Sequence, residues 1–244
     1  MRRLIPEKED EGQFRALYLD PRAIETPSLA LAHAMREVLR MADLVRGMVR
    51  DVKPVFEAST PDLIQDLEAR DDRVDILDRE IKFYLARMLQ ASMTQEQAQR
   101  ELALVSLTTN LENIADVVTK NLLELAKKKI ARGRHFSDEG WKDLCVFFER
   151  IFENYDLSIA AFSSGDEELA RRVLRVRREL AELELSLKQS HLERLHRGLR
   201  ESFETSSLHL EILSNMRRIN SYASDFARWS LPDRGARFDL GTSG

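Results

Sequence analysis

From residue 27 onward, apolar residues recur along the chain at intervals of three and four, the rhythm that lines one face of an α-helix. Leu104, Leu107, Leu111, Ile114, Val118, Leu122 and Leu125 trace one such stripe, and Val74, Leu77, Ile81, Leu85 and Met88 trace a second. The six prolines fall at positions 6, 21, 27, 54, 61 and 232, so the interval between the last two is free of the residue that most disrupts a helix. Within it Gly133, Gly165 and Gly198 sit where the apolar phase changes, each beside a polar cluster able to open the next helix. Thr26-Pro27 and Thr60-Pro61 place a capping hydroxyl before proline at a first helical position, and Thr94 and Ser137 are further caps. These signals predict six helices over 27–57, 61–92, 95–132, 138–163, 166–197 and 203–230, with Pro54 kinking or ending the first. Short turns between long helices force antiparallel neighbours. The expected fold is therefore all-α, two tandem three-helix bundles over residues 27–133 and 134–231, with an arm at 1–26 and an irregular tail at 232–244.

The two halves overlay with a shift of about 105 residues. Leu111-Glu112-Asn113-Ile114-Ala115-Asp116 then falls on Met216-Arg217-Arg218-Ile219-Asn220-Ser221, and Val74, Leu77 and Ile81 fall on Leu180, Leu183 and Leu187 with a shift one larger. The apolar pattern is duplicated; the acidic pattern is not.

Composition narrows the function classes. Over 244 residues, 43% hydrophobic content allows one large core or two small ones. A formal net charge of −4 gives no overall field that attracts nucleic acid, so no nucleic-acid partner is expected. Cys145 is the only cysteine, which excludes an internal disulfide framework and a multi-cysteine zinc site, and fits a reducing compartment. No uncharged run approaches the roughly 20 residues that span a bilayer, and the amino terminus lacks a signal-peptide core.

Asp71, Asp72, Asp75 and Asp78 crowd the second helix too far along to benefit from its dipole, and Asp71 and Asp75 form a like-charge i,i+4 pair. Glu112 and Asp116 form another on the third helix, one position off the core stripe, where they reach toward a neighbouring helix. Antiparallel packing can bring the pairs together, and converging carboxylates repel unless a multivalent cation lies among them. Oxygen-only ligands suit magnesium, calcium, manganese or iron, with zinc also to be considered. The alternative is a solvated face neutralised by Arg70, Arg73, Arg79 and Lys120.

The run Asn110-Leu111-Glu112-Asn113-Ile114-Ala115-Asp116 resembles the helix signature of the PhoU family, and Asp71-Asp72-Arg73-Val74-Asp75 resembles its partner motif on the preceding helix. The resemblance covers roughly 28–231 and implies the duplicated three-helix architecture, with a metal cofactor ligated by Asp71, Asp75, Glu112 and Asp116. The segment from Tyr18 to Leu31 is similar to the linker joining the membrane part of bacterial sodium-phosphate cotransporters to their PhoU-like domain. That similarity implies a cytoplasmic regulatory domain at the inner membrane face, with the membrane domain of a phosphate transporter as partner. It fits either an excised domain or a free-standing relative, and a stand-alone negative regulator of phosphate uptake and a metal-free adaptor are the competing functions. The second half departs from the family pattern: Arg177, Ala181, Arg217 and Ser221 stand at its acidic positions, where the arginines would hold Glu182, Glu184 or an anion such as phosphate.

Other chemistry finds little support. Glu193 and His196 have the Glu-x-x-His spacing of di-iron bundles without the companions that site requires. His33, His135, His191 and His209 lack triad-like or metal-like partners in sequence, and no glycine-rich phosphate loop exists, so catalysis is not expected. The basic cluster at Lys127, Lys128 and Lys129 suits a helix carboxyl end, whereas that from Arg171 to Arg178 opens a helix and would suit acidic lipid headgroups, a partner's loops or a solvated face. Trp141, Phe147, Phe148, Ile151, Phe152 and Tyr155 give the fourth helix a broad apolar surface, to be buried in the core, in a homodimer or against a transporter.

Overall fold

The computed structural model describes residues 14–58, 61–88 and 93–231; the predicted tail and residues 1–13 of the predicted arm lie outside them. Among the described residues there is no strand. Helix α1 spans Pro27–Ala58, α2 Pro61–Met88 and α3 Gln95–Asp116, which continues through a π-helical segment, Val117–Leu123, into α4, Glu124–Ala131. The second half comprises α5 (Asp138–Ser164), α6 (Glu167–His196), the short α7 (Arg200–Glu204) and α8 (Ser206–Ala227).

The expected caps operate as written. Thr94 and Gln97 form a reciprocal capping box at α3, and Ser137 accepts from the Gly140 amide at α5. Gly165 closes α5 at φ 68°, a left-handed conformation that costs glycine little, and Asp166 then caps α6 by accepting from the Leu169 amide.

Three details differ from expectation. Pro54 lies inside α1, which runs on to Ala58, so the missing amide removes one helical hydrogen bond without ending the helix. The third rod widens into a π-turn immediately after Asp116. The sixth predicted helix is split, because Thr205, whose hydroxyl donates to the Glu201 carbonyl, separates α7 from α8.

Helices α1, α2 and α3 pack on one another, as do α5, α6 and α8. The two trios also join through α3 against α8 and α1 against α5. One continuous apolar cluster runs through both, including Met41, Val45 and Met48 of α1, Leu107 and Leu111 of α3, Phe147 of α5 and Met216 of α8. Helix α5 packs on α6 and α8 of its own half and on α1 of the other. Phe147, Phe148, Ile151 and Tyr155 are all buried, with Trp141 and Phe152 packed against the same core, so its broad apolar surface faces inward. The Tyr155 hydroxyl donates to the Ala42 carbonyl at 2.8 Å, satisfying a buried polar group across the two halves. Arg46 grips Asp156 with two hydrogen bonds of 2.6 and 2.7 Å alongside it.

The described part of the predicted arm is bound to the first bundle and is not a separate element. Glu37 of α1, fully buried, accepts the amides of Leu17 and Tyr18 at 2.8 Å each and pairs with Arg40. Glu80 of α2 accepts the Ala16 amide at 2.6 Å, and the Tyr84 hydroxyl donates to the Asp20 carbonyl at 3.0 Å. Guanidinium groups complete the clamp, Arg36 over the Tyr18 ring at 4.2 Å and Arg40 over Phe14 at 4.8 Å. A 3₁₀-turn, Pro21–Glu25, capped by Asp20 then feeds α1.

Candidate functional site

The acidic residues of α2 and α3 meet where the two helices pack, close to the start of the π-helical segment. Val74, Leu77 and Ile81 of α2, and Leu111 and Ile114 of α3, are buried in the core, which fixes the rotation of both helices. Asp71 and Asp78 are thereby turned half inward, whereas Asp72 and Asp75 are exposed. Glu112 and Asp116 are half-buried on the facing surface.

Burial pushes the Asp71 carboxyl above its usual range, and the nearby charges of Asp75 and Asp116 push the same way, against a hydrogen bond from the Thr119 hydroxyl at 2.9 Å. Glu112 is likewise raised, first by burial, then by Asp116, Asp78 and Asp75. The four predicted ligands therefore share one electrostatic neighbourhood, and Asp78 belongs to it as well.

Two lysines face this group. Lys82 pairs with Asp78 at 2.6 Å, and Lys120 pairs with Asp116, which holds the Lys120 ammonium above its usual range. Of the four cations expected to neutralise the face, only Lys120 does so. Arg70 turns to Asp51 and Asp66, Arg73 lies over the Phe14 ring, and Arg79 donates to the Asp75 carbonyl. Five carboxylates thus face two ammonium groups. The donor set suits a hard cation in its chemistry. Among the described residues, however, no three acidic, histidine or cysteine side chains stand close enough to hold one ion while the lysines are paired.

The second repeat shows what the same positions become when the charge is balanced internally. Arg177, at the position of Asp71, donates to Ser221 at 2.8 Å and to Asp225 at 3.0 Å. Glu184, buried and at the position of Asp78, binds Lys188 at 2.6 Å and Arg217 at 3.2 Å. Lys188 and Lys82 are themselves equivalent under the repeat. Arg217 stands where the first repeat has Glu112, so one half has a guanidinium beside its carboxylate and the other has two carboxylates side by side. The sequence expectation that these arginines bind acidic groups holds for Glu184, while Glu182 is exposed.

Between the two sites runs the π-helical segment. Thr119 donates to Asp71 and Lys120 reaches Asp116, while the Asn121 side chain meets Arg218 of α8 at 3.3 Å. Single π-turns inside α-helices recur at functional sites, because the extra residue re-aims the side chains around it.

A separate buried polar cluster occupies the far end of the second bundle. His191 and His209 stack with ring centroids 4.7 Å apart, and Arg194, almost fully buried, binds Asp143 at 2.6 Å. Burial and these neighbours push His209 down to about 3, keeping it neutral. The basic clusters are largely consumed in ion pairs. Arg171 binds Glu167, Arg175 binds Glu168 and Lys127 binds Glu68 and Glu124, while Lys129 is buried and donates to the Phe56 carbonyl.

The family model described as PhoU domain matches residues 38–123 and again 147–230, once for each repeat. This chain belongs to the PhoU family. The candidate inorganic phosphate export proteins YjbB of Escherichia coli strain K12 and of Salmonella typhimurium strain LT2 are each 36% identical to it over 215 residues. The alignment takes in 88% of this chain and 39% of theirs, so the chain spans well under half the length of these relatives. Crystal structures of PhoU from Pseudomonas aeruginosa and of the phosphate transport system regulatory protein PhoU from Streptococcus pneumoniae share the fold, with TM-scores of 0.75 and 0.73. They are 17% and 13% identical, cover 82% and 84% of this chain, and are themselves covered over 94% and 95% of their length. The PhoU architecture expected from the acidic motifs is thus that of the protein. No helix among the described residues is long and apolar enough to cross a membrane.

Asp78, Lys82 and Thr119 are the site residues that the ligand assignment from sequence leaves out. Asp78 carried a signal, since it lies seven residues, two helical turns, beyond Asp71 and shares its face. Thr119 carried none, because its reach to Asp71 follows from the π-turn.

Proposed function

We propose that this chain is a metal-binding regulatory module of a phosphate transport system, with the acidic face of α2 and α3 as its sensing site. The observation that carries the reading is the unequal charge of the two repeats. The second closes its ion pairs with Arg177 and Arg217, whereas among the described residues the first leaves Asp71, Asp75, Asp78, Glu112 and Asp116 facing the cations Lys82 and Lys120 alone. Asp71, Asp75, Glu112 and Asp116 are the proposed ligands, joined by Asp78. A bound Mn²⁺, Mg²⁺, Ca²⁺, Zn²⁺ or iron ion would supply the missing positive charge.

The link to phosphate transport is supported by family membership and by the export function for which the YjbB relatives are named. We assign the module to the cytoplasmic face of the membrane, acting on the membrane domain of a sodium-phosphate cotransporter or exporter by binding and not by catalysis. The ion pairs of Lys82 and Lys120 favour a second reading, a metal-free helical adaptor.

Glu112→Gln separates the two readings. In chelator the variant is expected to gain roughly 0.5 kcal/mol of stability, because it removes a charge disfavoured by burial and repelled by Asp116, Asp78 and Asp75. In Mn²⁺ it should lose most of the metal-induced rise in Tm shown by the parent. Equal calorimetric Mn²⁺ binding by the parent and by the Glu112→Gln/Asp116→Asn double variant would remove the assigned site. A parent with no metal response would leave the adaptor. Phosphate flux in cells carrying the transporter with either chain tests the regulatory half of the proposal, and equal flux would sink it.

A further inference from the structure

We propose that the groove between α5 and α6 is an oxyanion site selective for inorganic phosphate, with Arg172 and Arg150 as its cations and Asn154 as acceptor of the phosphate hydroxyl. It lies in the second repeat, apart from the acidic face, and needs no metal there.

A polar layer interrupts the core of the second bundle. Along α5, Phe147 and Ile151 give way to Asn154 and Ser158 before Ala161; along α8, Met216 and Ile219 give way to Asn220 and Ser224 before Ala227. All four polar side chains are buried. Ala161 and Ala227 belong, with Ala170 and Val173, to an apolar cluster set apart from the main core. Asn220 falls on Ala115 when the repeats are overlaid, so at that position the first half stays apolar. Asn154 Nδ2 donates to Asn220 Oδ1 at 2.7 Å and to the Ser224 hydroxyl at 3.2 Å, and the Ser158 hydroxyl donates to the Asn154 carbonyl. Asn154 Oδ1 has no partner among the described residues, although the residue is only 1% exposed. A buried acceptor left in that state costs stability and calls for a donor from outside.

The groove lies beside it. Asn154 lines a cavity of about 530 Å³ together with Arg150, Glu153 and Leu157 of α5 and Arg172 and Val176 of α6. Arg150 donates to Glu179 at 3.2 Å, which sets the antiparallel register of the two helices. Leu157, seven residues after Arg150, then comes level with Arg172, seven before Glu179, about 10 Å along the rods. Asn154 therefore falls between the two guanidinium groups. Arg171, Arg175 and Arg177 each bind a carboxylate, whereas Arg172 has no ion pair among the described residues. Arg150 is held by one bond between side chains open to water, so it can turn to a ligand. Asp156, also at the groove, has both oxygens taken by Arg46, which leaves exposed Glu153 as the remaining carboxylate.

Cations placed around an acceptor match an oxyanion that still carries a proton. Inorganic phosphate keeps an acid hydroxyl at neutral pH, which donates to Asn154 Oδ1 while the charged oxygens accept from Arg172 and Arg150. Sulfate has no proton to give, so it would leave Oδ1 unpaired and meet the Glu153 charge without a hydrogen bond to offset it.

Calorimetric titration of the full chain in chelator, at neutral pH, should show inorganic phosphate binding about tenfold more tightly than sulfate. Arg172→Met, at an exposed position, should weaken phosphate binding about tenfold and leave the Tm of the ion-free protein unchanged. The side-chain amide resonances of Asn154 should shift on saturation with phosphate and stay in place with sulfate. A parent that binds no phosphate, equal affinity for the two anions, or phosphate affinity undiminished in Arg172→Met each overturns the inference. Because chelator strips any ion from the acidic face, none of these results bears on the metal reading, and a failed Mn²⁺ titration would leave the phosphate measurement intact.

Discussion

Replacing Glu37 with alanine is expected to lower the stability of the protein by about 3 kcal/mol, a large effect for one side chain. Glu37 is fully buried and is the common acceptor for the Leu17 and Tyr18 amides and for Arg40. Truncation leaves two amides without their acceptor and a guanidinium, only 20% exposed, without its partner. Glu37→Gln keeps one acceptor oxygen and should lose roughly half as much. The decisive measurement is hydrogen exchange at residues 16–20 alongside urea unfolding. Fast exchange there with an otherwise intact helical core would localise the loss to the arm, and unchanged exchange would show that the arm is held by its aromatic clamps instead.

Lowering the pH from 7 to 5 should remove about 2 kcal/mol through His209. Its folded-state value, about 3, lies below the ordinary 6.5, so the unfolded chain takes up the proton more readily. The contribution is complete above pH 6.5 and is lost progressively as the pH falls toward 3. The neighbours enforce this: the stacked His191 ring, the Arg194 guanidinium held by Asp143, and the edge of the Phe136 ring, beneath which lies the Lys129 ammonium. None but Asp143 welcomes a second positive charge. Asp71 and Glu112 titrate in the opposite sense. Their folded-state values are raised, so the metal-free protein recovers stability as the pH drops through them toward the usual carboxylate range. Urea midpoints across pH 5–7 for the parent and His209→Phe isolate the histidine, and equal slopes for the two would refute its role. Mn²⁺ affinity should fall as the pH drops through these raised values, because a protonated carboxylate is a poor ligand.

The helices were legible because burial is encoded one residue at a time. Stripes such as Val74, Leu77 and Ile81 and caps such as Thr94 are local statements, and the structure places them as written. The unequal charge of the repeats was also legible, since Arg177 and Arg217 could be read against Asp71 and Glu112 by overlaying the halves. The partners of those charges were less so. Arg70 and Arg73 lie beside Asp71 in sequence, yet helical geometry sends them to Asp51 and to the Phe14 ring. The π-turn left no mark in the apolar spacing, because Val118, Leu122 and Leu125 remain inward through it. The fate of the apolar surplus on α5 depended on a contact with α1, more than a hundred residues away, which no local pattern records.

That contact bears on how such a duplicated chain can be cut. With Tyr155 anchored on Ala42 and one apolar cluster running from Met41 to Met216, a fragment ending near Gly133 would bare the greasy flank of its own α1 and α3. Two such fragments would bury that flank by meeting face to face, each standing in for the other's missing half as a symmetric pair.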